Sequence, residues 1–286
     1  MSTVTDDVAT LYAKIADSEG TRLAVHPMER ELTLRTILAR LPSPSGAVIA
    51  DIGGGPGRIA FALADAGHLV DLVDLTPTLI SMAQREQDHR RGTSPAAPLL
   101  RSIAVGNALH PPSPEAEGAY DAVLLLGPLY HLLEESERRD AVSHALRRVR
   151  PRSGLVFCAF VSVAAHLRDV AVRDPGKLLR GGDFYHKYLR TGRYESFKEA
   201  LGVTAQGYHT CAADARAFLQ SHFAGEAELV EMRSTEGILG GGLDAKLEEA
   251  GPEVVQAWAD LMYQEYSTKE EFLGCADHLI AILRRK

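Results

Sequence analysis

Two aspartates bracket a run of glycines. Val48 to Asp74 reads VIADIGGGPGRIAFALADAGHLVDLVD, with Asp51 just ahead of Gly53, Gly54, Gly55 and Gly57, and Asp74 at its end. An acid at the end of a second strand can accept both hydroxyls of a ribose. Glycines at a turn let the backbone approach a ligand with no Cβ in the way, and φ > 0 costs them little. The elements that must position these groups are a strand ending in Asp51, a small-residue helix running to about Gly67, and a short strand, Leu69 to Val73. That order is the first βαβ unit of a nucleotide-binding sheet.

Two cofactor classes use such a unit. Gly55-Pro-Gly57-Arg-Ile-Ala60 satisfies the G-x-G-x-x-A pattern of dinucleotide sites. Against that reading, Asp51 would repel a pyrophosphate and attract an ammonium group, and Pro56 removes a backbone N–H that an anion would want at a helix start. Asp51-Ile-Gly-Gly-Gly-Pro-Gly57 resembles the first motif of the Rossmann-like (class I) S-adenosylmethionine-dependent methyltransferases, and Asp74 stands where their ribose-binding acid would be. The resemblance implies S-adenosylmethionine as cofactor. It also implies an α/β fold with a seven-stranded, doubly wound, mostly parallel sheet, whose last strand is inserted antiparallel between the fifth and sixth.

The same resemblance distributes further roles. Leu75 follows the ribose acid. Asn107, in Gly106-Asn107-Ala108, stands where relatives usually carry an acid that holds the adenine amino group, and its carbonyl oxygen can still accept that bond. Ala108 and Leu126 border the cofactor. Tyr12, Arg22 and His26 resemble a Tyr, Arg and His pattern in an N-terminal segment that folds over the cofactor, with Arg22 able to grip a carboxylate through a bidentate fork. Arg150-Pro-Arg-Ser-Gly154 replaces the usual Pro-Gly-Gly, so Ser153 must keep a negative φ.

Composition bounds the rest. A chain of 286 residues can bury a full core, and 45% hydrophobic with 24% charged residues is ordinary for a globular protein. A net charge of -7 gives no global attraction to nucleic acid or anionic membrane. The polar, acidic start and the absence of an apolar run of about 20 residues lead us to expect no signal peptide and no membrane span. Cys158, Cys211 and Cys275 are far apart and form no CxxC pair, so we read reduced thiols in a cytoplasmic protein. Eleven histidines show no HExxH or HxH spacing, and no metal is expected.

Periodicity, with the N-terminal cover and the family ending that the resemblance implies, divides the chain into residues 1–45, an N-terminal helical lid; 46–161, the cofactor-binding core; 162–213, an inserted helical cap; and 214–286, the remainder of the core. Phe184, Tyr185, Tyr188, Tyr194, Phe197 and Tyr208 crowd the cap segment, together with His166, His186 and His209. They either form that segment's own core or wall an acceptor pocket. The loop Gly127-Pro-Leu-Tyr-His-Leu132 follows the fourth strand and should border the transferable methyl group, because ligands in open α/β sheets bind beyond the strands' carboxyl ends.

Alignment and desolvation carry much of such a methyl transfer, and positioning contributes about 7 to 11 kcal/mol. A base is needed only where the acceptor must lose a proton, and is then worth roughly 100- to 10,000-fold. His209, His131 and His26 are the candidate bases, with Tyr12, Tyr130 and Tyr208 as orienters and Phe184, Tyr188, Tyr130 and Tyr208 as acceptor contacts. The N-terminal TRLAVHPMERELTLR, the phrase LGPLYHL and the aromatic cap are similar to those of indole C3-methyltransferases, which methylate tryptophan-containing cyclic dipeptides with pyrroloindoline closure. The expected partner is thus a small aromatic acceptor. N- or O-methylation of another metabolite is the alternative, and RNA methylation and NAD-dependent oxidation are more remote.

Overall fold

The computed structural model describes residues 4–17, 19–20, 26–41, 46–110 and 117–286. Seven strands form one sheet: β1 (Val48–Ile52), β2 (Leu69–Asp74), β3 (Ser102–Val105), β4 (Ala122–Leu125), β5 (Leu155–Val161), then β8 (Ala227–Ser234) and β9 (His278–Arg285). Between β5 and β8 the chain inserts a separate hairpin, β6 (Arg193–Lys198) and β7 (Val203–Tyr208). The spatial order is β3-β2-β1-β4-β5-β9-β8. Strands β1 to β5 pair in parallel, and β9 runs antiparallel to both β5 and β8. This is the expected architecture.

Local chemistry explains the turns. Gly57 takes φ 85° as the residue before helix α3, because the chain must leave β1 sharply, and a Cβ there would sit 3.0 Å from Leu72. The principal helices are α1 (Val4–Lys14), α2 (Pro27–Leu38), α3 (Arg58–Asp65), α4 (Pro77–Thr93), α5 (Glu135–Arg148), α6 (Val163–Arg173), α7 (Gly182–Thr191), α8 (Ala212–Phe223) and α9 (Pro252–Leu261). Pro77 begins α4 at a position where its missing N–H costs nothing. Ser162 caps α6 by accepting from Ala164 N at 3.1 Å.

The sheet is apolar on both faces, as a parallel sheet covered by helices must be. Val123, Leu125, Val156 and Cys158 pack toward α5 and α8, while Ile49, Leu72, Leu124 and Phe157 pack toward α3 and α4. A third apolar cluster joins Met28 and Leu32 of α2 to Leu239, Leu247, Val255 and Met262. Helix α2 is therefore part of the core and lends Glu29 and Thr33 to the cavity, to which α1 adds Val8 and Tyr12.

Ladder pairing limits β3 to Ser102–Val105 and β4 to Ala122–Leu125, although apolar residues flank both. The helical region after Asp244 is broken at Gly251, whose φ of 107° no helix accepts. In the turn before β5 the positive φ falls on Arg152 at 69°, and Ser153 keeps its negative φ. The cap expected to be helical contains the β6–β7 hairpin, in which half-buried Tyr194, Ser196 and Lys198 alternate with exposed Arg193, Glu195 and Phe197 at the period of a strand.

Candidate active site

A cavity opens beyond the carboxyl ends of the parallel strands. Its floor is the glycine turn, with Gly53, Gly54 and Gly55 between Asp51 and Asp74. Gly53 and Gly55 have φ of 77° and 58°, and a Cβ on Gly53 would lie 2.6 Å from Pro128, so the turn and the loop after β4 fit together only with glycine there.

Asp51 is 1% exposed, and neither carboxyl oxygen has a hydrogen-bond partner among the described residues. Burial, then the neighbouring Asp74, pushes its carboxyl up to about 7. A buried carboxyl with two unspent oxygens beside a cavity matches a ligand that brings its own cation and hydrogen-bond donors. Asp74 behaves differently. Its oxygens accept from Gly55 N and Thr76 N, each at 2.8 Å, which fixes the carboxylate at the end of β2. Burial still raises its carboxyl, the two backbone bonds opposing and Glu19 adding to the rise. Leu75, Ala108, Leu126 and Asn107 also line the cavity. Asn107 spends one lone pair of Oδ1 on Leu109 N at 2.8 Å. Gly57 does not line it and acts through the turn. Arg22 lies outside the described residues.

The loop after β4 supplies Tyr130 and His131, and α1 supplies Tyr12. The Tyr12 hydroxyl and His131 Nε2 share a 2.9 Å hydrogen bond, and the His131 ring packs at 4.7 Å from that of Tyr130. Burial pushes the His131 imidazole down to about 4, a backbone bond at Gln206 opposing it. His131 is therefore neutral and a reluctant proton acceptor. The loop is held from behind by Arg138, which donates to Leu132 O and Leu133 O at 2.6 and 2.9 Å and lies 3.6 Å over the Tyr208 ring.

The remaining expected residues are not brought to the cavity. His209, Phe184 and Tyr188 pack with His166, Tyr185 and Tyr194 into an aromatic cluster, the inserted segment's own core. The Tyr188 hydroxyl and His209 Nδ1 share a 2.7 Å bond. Burial, then His166, His131 and His278, pushes His209 down to about 3, and burial pushes the Tyr188 phenol up. Tyr208 lies against Arg138 and lines a second recess. His26 precedes α2 and sits 3.4 Å from the buried Asp244, away from the cavity lining.

The cavity also contains residues that spacing did not single out. Glu29, Thr33, Thr235 and His278 line it, and Glu236 lies behind His278. One signal for His278 was present. A last strand running antiparallel to its neighbours must start at the carboxyl edge, and His278, its first residue, pairs with Val161, the last of β5.

Residues 49–152 match the family model of a methyltransferase domain. The chain is an S-adenosylmethionine-dependent methyltransferase. The methyltransferase is similar in fold to magnesium protoporphyrin IX methyltransferase from Synechocystis PCC 6803, crystallised with S-adenosylhomocysteine. That likeness has 14% identity and a TM-score of 0.58, and covers 99% of this chain and 100% of that one. An S-adenosylmethionine-dependent methyltransferase from Methanosarcina mazei has 17% identity and a TM-score of 0.54, covering 88% and 96%. The CcbJ methyltransferase from Streptomyces caelestis has 15% identity and a TM-score of 0.54, covering 89% and 88%. Among curated proteins no sequence matches the methyltransferase. None of its described helices is long and apolar enough to cross a membrane.

S-adenosylmethionine fits the residues present. Its cationic amine suits the Asp51 carboxyl, unpartnered among the described residues, its ribose suits Asp74, and glycines 53 to 55 leave the backbone open beside both. When bound it supplies an electrophilic methyl carbon, whose bond to sulfur breaks with the electron pair staying on sulfur.

Proposed function

We propose that this methyltransferase acts on a small aromatic natural product, and that the favoured reaction is methylation of indole C3 in a tryptophan-containing cyclic dipeptide with pyrroloindoline closure. The observation that carries the small-molecule reading is the lining of the acceptor side. Tyr12, Tyr130 and His131 present aromatic faces and edges in contact with one another, the Tyr12 and His131 rings meeting edge to face at 5.3 Å. Such a wall suits a flat aromatic ring, and also the cation left when indole C3 takes up a methyl group, at about 0.5 to 2 kcal/mol per contact. The resemblance of the N-terminal segment and of LGPLYHL adds the indole preference. N- or O-methylation of another small metabolite is the second reading, favoured by the hydrogen-bonding groups Thr33, Thr235 and His278 in the same cavity.

The protein incubated with S-adenosylmethionine and a panel of tryptophan cyclic dipeptides, simple indoles, phenols and amines is expected to add one methyl group to a cyclic dipeptide. The product should lose its indole absorbance. Methylation of phenols or amines alone would replace the indole reading by the second one.

A further inference from the structure

Three segments remote in the chain meet at the end of the cavity formed by β9. His278 is the first residue of that strand, Glu236 follows β8 by two residues, and Glu29 lies in the first turn of α2. Glu236 holds His278 twice, Oε2 accepting the backbone N–H at 2.8 Å and Oε1 accepting from Nδ1 at 2.6 Å. An ionised carboxylate only accepts, so Nδ1 carries a proton, and in the neutral ring the lone pair is then on Nε2. Glu29 adds a second carboxylate, 3.9 Å from Nδ1. Glu236 is 4% exposed, so the bond that fixes the ring is sheltered from water. The neighbouring Asp277 faces away, bonded to Arg168 and to Gly241 N. Of the titratable groups near His278, the two carboxylates stabilise an imidazolium, and His209 is held neutral by its own burial.

We infer that His278, positioned by Glu236, is the general base for the methyl acceptor, and that the acceptor is a neutral molecule that gives up an N–H or O–H proton. The inference rests on the small-molecule reading above. The acceptor is neutral because Glu29 and Glu236 would repel an anion at this end of the cavity. In the indole reaction the C2–C3 electron pair forms the new C3–CH3 bond, leaving C2=N1 cationic. The dipeptide amide nitrogen then bonds to C2, and its proton passes to His278 Nε2. The imidazolium donates through Nδ1 to Glu236 until Nε2 returns the proton to water. An acceptor phenol or amine would lose its own proton to the same nitrogen as its oxygen or nitrogen takes the methyl group. A base oriented by a buried carboxylate follows the logic of nucleophile–base–orienter constellations.

The test compares wild type, H278Q and E236Q on the acceptor panel, with S-adenosylhomocysteine titrated into each by calorimetry. H278Q is expected to lower kcat roughly 100- to 10,000-fold, with KM and S-adenosylhomocysteine affinity within about threefold. E236Q should lower kcat by roughly tenfold and move the acidic limb of the kcat–pH profile, which a purely structural role would leave in place. H278Q turning over within threefold of wild type on the methylated acceptor would overturn the assignment. Wild type methylating phenols or amines but no indole would remove the indole reading, and the base is then judged on those acceptors. A readout independent of any acceptor is nitrogen-15 NMR of the wild-type imidazoles at pH 8. His278 protonated at Nδ1 and bare at Nε2, with the Nδ1–H signal displaced in E236Q, is the expected result; a proton on Nε2 would overturn the inference.

Discussion

Asp51 and Asp71 sit on neighbouring strands of one sheet, both buried, and the fold treats them in opposite ways. Asp71 accepts from Arg101 Nε at 2.9 Å, Ser102 Oγ at 2.7 Å and Tyr120 Oη at 2.9 Å. Burial alone would raise its carboxyl, but these bonds and the Arg101 charge outweigh it and hold the carboxyl below its ordinary value. Asp51 has no such donors among the described residues and rises to about 7. A buried acid whose hydrogen bonds are complete is structural. One whose oxygens are unspent marks where a ligand must complete them. His278 and His131 repeat the contrast in one cavity, the first with its Nδ1 bonded to a carboxylate and the second desolvated to a pKa of about 4.

The largest effect should come from the completed acid. D71A leaves three donors facing a void and is expected to cost about 2 to 3 kcal/mol in chemical denaturation, toward the low end because Arg101 is a third exposed. The folded fraction should bind S-adenosylhomocysteine as wild type does. D51N is expected to reverse that pattern, weakening S-adenosylhomocysteine by about 1.5 to 3 kcal/mol in calorimetry while the ligand-free melting temperature stays level or rises. If D71A weakened the ligand and D51N unfolded the protein, the comparison would be broken.

Acidity sharpens it further, because the two shifts have opposite signs. The Asp71 carboxyl is depressed, so its stabilisation is present above the unfolded value and is lost as pH falls through the folded one. The Asp51 carboxyl is raised from 3.8 to about 7, so its contribution favours the ligand-free fold at low pH and is lost as pH rises through that window. Ligand binding by the ionised Asp51 then gains affinity up to about pH 7, at most roughly tenfold per unit. Calorimetry between pH 5.5 and 8.5 should show this slope in wild type and not in D51N.

Smaller effects probe the histidines and tyrosines. H209F removes the shorter of two hydrogen bonds of the Tyr188 hydroxyl, the other being to Val163 O at 3.5 Å, and should cost about 1 kcal/mol of stability with kcat within twofold, read by thermal melting beside an activity assay. A hundredfold loss of kcat would restore His209 as a base. Y12F removes one neutral hydrogen bond to His131, about 0.5 to 1.5 kcal/mol. It should raise the acceptor KM a fewfold and leave S-adenosylhomocysteine binding unchanged.

The donor half of the cavity was legible in the sequence because its determinants are local. Asp51, the glycines and Asp74 lie within one βαβ unit, where strand period, turn residues and helix onset place them without help from the rest of the chain. The acceptor half was not, because residue type does not report environment. Phe184, Tyr188 and His209 looked like a pocket wall and form a separate core, since aromatics concentrated in a small insertion bury one another first. His26 looked like a base and lies beside Asp244, a partner 218 positions away.

What the sequence by itself determined is the fold class, the cofactor and the edge of the sheet at which the cavity opens, all consequences of short-range pattern. Only the tertiary structure decided which ionisable groups keep unspent hydrogen-bonding capacity and which are completed inside the protein. Residues 29, 236 and 278 come together because β9 enters the sheet antiparallel between β5 and β8, which brings its first residue to the carboxyl edge beside α2 and the end of β8. Burial and partner together set whether a carboxyl or an imidazole holds a proton, and both are properties of packing rather than of spacing along the chain.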